Sequence, residues 1–391
     1  MASTGNTLRQ IRHARGKSLA VVAGLAGISP SYLSRLESGE RALDRRSLIV
    51  ALASALEVAP SEITGAAITA PREAEEDRAL SEVRLALLAV SLNEPRGEVQ
   101  PVEQLRARVG GVVSAINDAQ ADAVGALLPA LIRDLHTTRN ANRHEREVLH
   151  LLTLAHMQGT QAWLAMVGAP MDLAWQAATL ARQAAEELDE PVPLAIGAYG
   201  TSMGLLAAGA FDLAARTLAA VELPLVTTED LQLAGSLALA SSLVASAQKD
   251  AAERAAALEH AAELAERTGE TNVMGFGFGP SNVGVWRMQG ALEAGEHAEA
   301  AKIAETVNPD ALTVRARQAV YWRDRGRALA RLPRQRDTAV MMLRRAEEIS
   351  PEHVRRHPFT LSVVAELVAK AKRDAVGREL RGLAYRAGLP V

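Results

Sequence analysis

Among the 391 residues there is no cysteine, which excludes disulfides and thiolate metal ligands and fits a reducing compartment. Aromatic side chains make up only 3% of the chain, too few to build a single core of bulky groups. Plentiful alanine instead suits helices that approach each other closely along their length, so the expected class is all-α. Apolar runs break off short of the roughly 20 residues needed to span a bilayer. The opening MASTGNTLRQ has no apolar segment of the kind found in secretory leaders. These absences point to a cytoplasmic chain with no membrane partner. There is also no phosphate-binding glycine loop, no GxSxG elbow and no HExxH pair, so neither an enzyme nor a cofactor is expected. His144, His150 and His156 are spaced by six, which turns each by about 240° around a helix. With His136 they do not form one ligand face, so no metal site is expected and these histidines read as solvated or capping groups.

A length of 391 residues implies several domains or an extended repeat array. The net charge of −3 is unevenly spread. Residues 1–46 hold eight basic against three acidic side chains, a net +5, which leaves −8 for the remainder. A basic head on an acidic body steers a polyanion such as DNA to one end of the chain.

Within that head, Leu8, Ile11 and Arg12 fall on one side of a first helix that Gly16 ends. Ser18 is an N-cap for a second helix with Leu19, Val22, Ala23 and Ala26 inward, closed by Gly27 in a left-handed turn. Ser29 caps a third helix with Pro30 at its first position. Leu33 and Leu36 pin this helix from beneath and leave Ser31, Tyr32, Ser34 and Arg35 on the open side. Two short capped helices around a glycine turn make a helix-turn-helix, whose second helix enters the major groove. Ser47–Leu56 and Val58 read as two closing helical segments. Arg12 and Glu37 read as an internal ion pair that ties the first helix to the third.

The run Ala23, Gly27, Ile28-Ser29, Tyr32-Leu33-Ser34 and Leu36-Glu37-Ser38-Gly39, followed by Ser47-Leu48, Leu52, Ala53, Ala55-Leu56 and Val58, resembles the Xre/Cro family of helix-turn-helix domains over residues 7–65. The resemblance implies base-reading positions at Pro30, Ser31, Ser34 and Arg35. The fork of Arg35 matches the O6 and N7 acceptors of guanine. It also implies phosphate contacts from Ser18, Tyr32, Ser38, Arg41, Arg45 and Arg46, with a merely solvated loop as the lesser reading of the three loop arginines. Leu19 and Pro30 stand where the family often has Gln.

Residues 66–72 form a short linker and residues 73–391 a helical body, with helices near 73–91, 102–116, 119–138 and 143–167. From about residue 143 a helix–turn–helix unit recurs, with turns at Gly168–Ala174, Gly209–Ala214 and Gly295–Ala300 and looser ones at Lys249-Asp250 and Asp337–Ala339. A period near 40 residues signals a solenoid. The Gly-x-Phe-Asp-x-Ala turn resembles the tetratricopeptide repeat, with a longer period. Ligands of such arrays lie on the concave face, which the first helix of each pair lines. The Gly- and Phe-rich stretch 271–282 and the helix after it place Asn282, Val285 and Gln289 on that face, where the Asn amide would clamp a peptide. Phe276, Phe278 and Trp286 would form a wall there, or equally plug a gap in the solenoid. Gln158, Tyr199, Met203 and Tyr321 are the remaining ligand candidates.

The FGPSN and VGRELRGLAYRAG stretches add to a likeness to actinobacterial-type Xre regulators with a tetratricopeptide-like body. The expected fold is therefore a five-helix head, residues 1–65, followed by a tetratricopeptide-like α-solenoid. The expected function is that of a homodimeric transcription regulator that binds a palindromic double-stranded operator and senses a peptide or small-molecule effector. The alternative is a protein-interaction scaffold with a vestigial head.

Overall fold

The computed structural model describes residues 4–64, 74–141, 144–273, 275–371 and 374–389; the expected linker at 66–72 lies outside them. In the head the helices start where their caps dictate. The Ser18 hydroxyl accepts from the Val21 N–H and that of Ser29 from the Tyr32 N–H, with Pro30 opening the next helix. Each such cap contributes about 1 kcal/mol. The helices are α1 (Thr4–Ala14), α2 (Leu19–Leu25), α3 (Pro30–Glu37), α4 (Arg46–Leu56) and α5 (Pro60–Thr64). Gly27 takes φ +67° and the chain bends by 106° between α2 and α3, the crossing that a helix-turn-helix requires. Leu8, Leu33, Leu36, Leu52 and Leu56 are buried together beneath them, each contributing about 1.5–3 kcal/mol over exposure. Arg12 donates to both carboxylate oxygens of Glu37, at 2.6 and 2.8 Å. The ion pair expected between the first and third helices is therefore present and buried.

The body begins with α6 (Ala74–Ser91), α7 (Val102–Asn117) and α8 (Ala121–Asn140). Then α9 (Glu145–Leu154) runs through a π-helical segment, Ala155–Gln161, into α10 (Ala162–Met166). The array continues as α11 (Met171–Leu188), α12 (Pro191–Ala208), α13 (Phe211–Ala219), α14 (Thr228–Gln248), α15 (Ala251–Thr268), α16 (Pro280–Ala294), α17 (His297–Thr306), α18 (Arg315–Leu329) and α19 (Arg336–Ile349). It ends with α20 (Pro351–Arg355), α21 (Pro358–Ala369) and α22 (Ala375–Arg386). The described chain is 77% helical with no strand, which settles the all-α class. An isolated bridge joins Thr271 and Phe278.

Helices α12, α14, α16 and α18 stack side by side as a row, and α13, α15, α17 and α19 each pack on the helix before them. The row explains a sequence property. A helix covered on several sides needs no polar face, and α14 buries residues all round from Asp230 to Ala247. By length and composition α12 and α14 also qualify as membrane spans, which corrects the expectation that every apolar run falls short. Here the apolar window of α14 is 89% buried inside protein.

Gly209 and Gly295 end α12 and α16 at φ +80°, and Lys249 ends α14 at φ +65°. These are the turn positions from which the period was read, and each needs the left-handed conformation that glycine adopts without strain. Ala214, Ala300 and Ala339, the small residues of the same turns, are completely buried. Any larger side chain there would hold the paired helices apart. Late in the array α18 reaches back to touch α7, which encloses space between early and late helices.

Two of the histidines expected to be solvated or capping are buried instead. His136 on α8 and His156 in the π segment are both buried and their Nε2 atoms lie 2.8 Å apart, so one neutral imidazole donates to the other. A spacing argument confined to one helix could not see a partner on another. Burial lowers His136 to about 2, aided by His156 and Arg139, and burial alone lowers His156 to about 4. In the unfolded chain both titrate near 6.5, so below that pH the unfolded state binds more protons and stability falls. The loss is up to about 1.4 kcal/mol per histidine per pH unit. Replacing both by Gln should make the variant's melting temperature gain on the parent's as pH falls from 7 to 4.5; a constant difference across that window would refute the buried neutral pair.

Candidate nucleic-acid interface and body cavity

The surface of α3 presents Pro30, Ser31, Ser34 and Arg35, all exposed. The Arg35 guanidinium makes no hydrogen bond or ion pair among the described residues, so it is available to a base edge. Tyr32 is half-buried against the head's core. Ser18 and Ser38 are exposed at the ends of α2 and α3. The Ser38 hydroxyl donates to the Arg35 carbonyl at 3.2 Å. Helix α3 thus offers a short polar stripe with one free cation, held from beneath by Leu33 and Leu36.

The loop arginines lie elsewhere. Arg46 is half-buried, with Nη1 3.7 Å from the Glu293 carboxylate and its guanidinium 5.4 Å from the centre of the Phe359 ring. Burial pushes its pKa down while Glu293 opposes the shift. Arg45 turns towards Gly295 and lines a polar cleft of about 220 Å³ with Lys249, Asp250, Arg254 and Glu296. Arg41 is half-buried. Arg45 and Arg46, expected at phosphates or in a solvated loop, therefore face the body in this arrangement. For Arg46 the Glu293 carboxylate, some 250 positions further along the chain, takes the place of phosphate.

The head is clamped by buried charge. Arg331, just past α18, meets the Asp44 carboxylate at 2.6 Å and also pairs with Glu366 of α21; all three side chains are at most 7% exposed. Glu366 accepts the Ala42 N–H at 2.9 Å and Lys370 Nζ at 2.7 Å. Arg327 donates to the Asp44 carbonyl at 3.1 Å, and Glu293 accepts the Ser47 N–H at 2.8 Å. Burial works against ionisation of Asp44, but Arg331 and Arg327 outweigh it and hold the carboxyl below its usual range. No local pattern marked Asp44, Arg327, Arg331 or Glu366 beforehand.

The sequence-predicted ligand residues divide into two groups. Gln158, Tyr199, Met203 and Phe276 line one cavity of about 320 Å³ between the π segment, α12, the 271–279 loop and the start of α18. Tyr199 and Phe276 meet edge to face at 5.2 Å. The other six do not reach it. Phe278 is wedged against Gly235, where a Cβ would fall 2.0 Å from its ring, so it is the plug of the alternative reading. Val285 is in the core with Met288 and Ala304. The Tyr321 hydroxyl, fully buried, donates to the Ala304 carbonyl at 2.8 Å. Gln289 donates to Asp324 at 3.0 Å. Asn282 donates to its own loop at the Gly277 carbonyl and accepts from Arg317 Nε at 2.9 Å. Trp286 lies under the same guanidinium at 5.4 Å. The amide and the indole expected to grip a ligand therefore position Arg317, which lines the cavity together with Met157, Gln161 and Trp175. Repeat spacing missed these four. The one available signal was Trp175, one of only four tryptophans in the chain.

Residues 4–64 match the family described as a helix-turn-helix domain. Comparison with curated proteins and with solved structures gives no match. The head is thus a helix-turn-helix domain, which supports a DNA-binding regulator. Removing one partner of a buried ion pair costs about 3–5 kcal/mol. Asp44→Ala should therefore loosen the head from the body and speed hydrogen exchange at the Ala42 and Ser47 amides, with Arg35→Ala as an unaffected control. Unchanged protection at both amides would show that the clamp does not hold the head.

Proposed function

We propose that the chain is a sequence-specific transcriptional regulator: its head, residues 1–65, reads an operator through α3, and its helical body, joined by a linker at 66–72, holds the head and responds to an effector. The carrying observation is the helix-turn-helix match over residues 4–64 on a helix whose outward face bears an unpaired Arg35. Family resemblance supports the Xre type and the tetratricopeptide-like body. The effector reading rests on the cavity and on α18. That helix carries Arg317 at the cavity and, about 15 Å further along, Arg327 against Asp44. A ligand that shifts α18 acts on the residues that hold the head, and so on the balance between head positions.

Dimerisation has a separate support. Arg35 is the single long base-reading side chain proposed per head, so specificity needs two heads on a palindromic site. Leu85 and Leu88 on α6, and Leu92 in the turn that follows it, are all outward and 47–75% exposed; an identical patch on a second copy would cover them. Genomic footprinting should find an enriched palindrome. Arg35→Ala should weaken its retention by roughly five- to 150-fold with the fold intact, matching about 1–3 kcal/mol for a bidentate guanine contact. Retention equal to the parent's would remove α3 as the reading surface. Leu88→Glu should halve the particle mass in light scattering; an unchanged mass would move the dimer contact off α6.

A further inference from the structure

The ligand class follows from the cavity's lining, and naming it rests on the effector half of the reading above. The walls are chiefly apolar, with Met157, Ala165, Trp175, Met203, Phe276 and Val314 among them. The space, about 320 Å³, equals that of about ten water molecules at roughly 30 Å³ each. Met157, Gln158 and Gln161 enter it from the π-helical segment Ala155–Gln161. Such segments are rare and concentrate at functional sites, because the wider turn displaces side chains from the ordinary helical register. Gln161 is committed, donating to the Gly200 carbonyl at 2.8 Å.

Arg317 is the charged residue of this lining. Its Nε is held by Asn282 and its face by Trp286, while Nη2 is buried with no hydrogen-bond partner. Among the described residues no carboxylate lies within ion-pairing distance of it. Asp324, whose charge it feels, is bonded to Arg323 and Arg327. Burial pushes the Arg317 guanidinium below its ordinary value to about 10, so it remains a cation at neutral pH. Burial raises the Tyr199 phenol above its ordinary value, and the nearby Arg317 charge opposes that rise. A half-buried guanidinium fixed by Asn282 and Trp286 beside an apolar chamber is a receptor for one anion with an apolar body. A peptide fits poorly, since its backbone amides would lose water against methionine, alanine and aromatic walls.

We propose that this cavity binds an apolar monocarboxylate of about ten carbons, with the carboxylate on Arg317 and the apolar body against Met157, Trp175, Met203 and Phe276. The test uses the full chain with decanoate, 1-decanol and a leucine-rich pentapeptide, in calorimetry and thermal shift. Decanoate should bind at least tenfold more tightly than decanol and raise the melting temperature. Arg317→Gln should abolish that preference. Because Arg317 also supports the loop, Ala165→Trp on the exposed side of α10 provides a second variant; it should fill the chamber and remove binding of both probes while the circular dichroism stays that of the parent. Equal affinity for decanoate and decanol, binding of the pentapeptide alone, binding of no probe, or full binding by Ala165→Trp would each overturn the proposal. Operator retention measured with and without decanoate separates the two readings. Arg317-dependent binding that leaves retention unchanged keeps the ligand class and removes the effector role.

Discussion

Arg331 is buried between two carboxylates, Asp44 of the head and Glu366 of α21, and the placement of the head depends on it. A guanidinium in that position is stable only while both partners are present, since desolvating a lone charge costs several kcal/mol. Because Asp44 lies on the loop between α3 and α4, the clamp fixes the recognition helix relative to the body. It also accounts for the opposite fates of the head's arginines. Those near the clamp face body carboxylates, and Arg35, on the far side of α3, stays free.

The clamp can form because the body presents a firm edge. Turns ending in Gly209 and Gly295 lie against Val50 and Arg45 of the head, so the repeat glycines serve two purposes. They let each helix pair close, and they leave room for the head to dock. The same small-residue packing that places α12, α14, α16 and α18 in a row carries Arg317 to the cavity and Arg327 to the head on a single rigid helix. Cavity and head are thereby joined by one element, and no chain of separate contacts is needed.

Much of this was legible in the residues. Ser18, Ser29 and Pro30 announce the head's helices because caps act locally. The Arg12–Glu37 pair was legible because the helix-turn-helix arrangement brings its first and third helices together. Ala214, Ala300 and Ala339 revealed the pairing of body helices because only a small side chain fits where two backbones approach. The row of first helices was also readable, but the gathering of Gln158, Tyr199, Met203 and Phe276 around one cavity was not, because it depends on how distant repeats meet. The commitments of side chains within that row were not. Asn282 opens the helix that its spacing implies, but its amide is used by its own loop and by Arg317. The pairing of His136 with His156 was likewise invisible to spacing along one helix.

What the sequence by itself determined is therefore the class, the capped head, the approximate 40-residue rhythm and the exposed polar face of α3, since each rests on interactions within a few turns of chain. The tertiary structure alone decided the partners of Asp44, Arg46 and Arg331, the isolation of Arg317 at an apolar chamber, and the burial of Phe278 and Tyr321. Electrostatic partners and empty space belong to pairs of surfaces, and those surfaces come from segments separated by hundreds of residues. Their meeting depends on how many small offsets accumulate along the array, a sum that no local pattern contains.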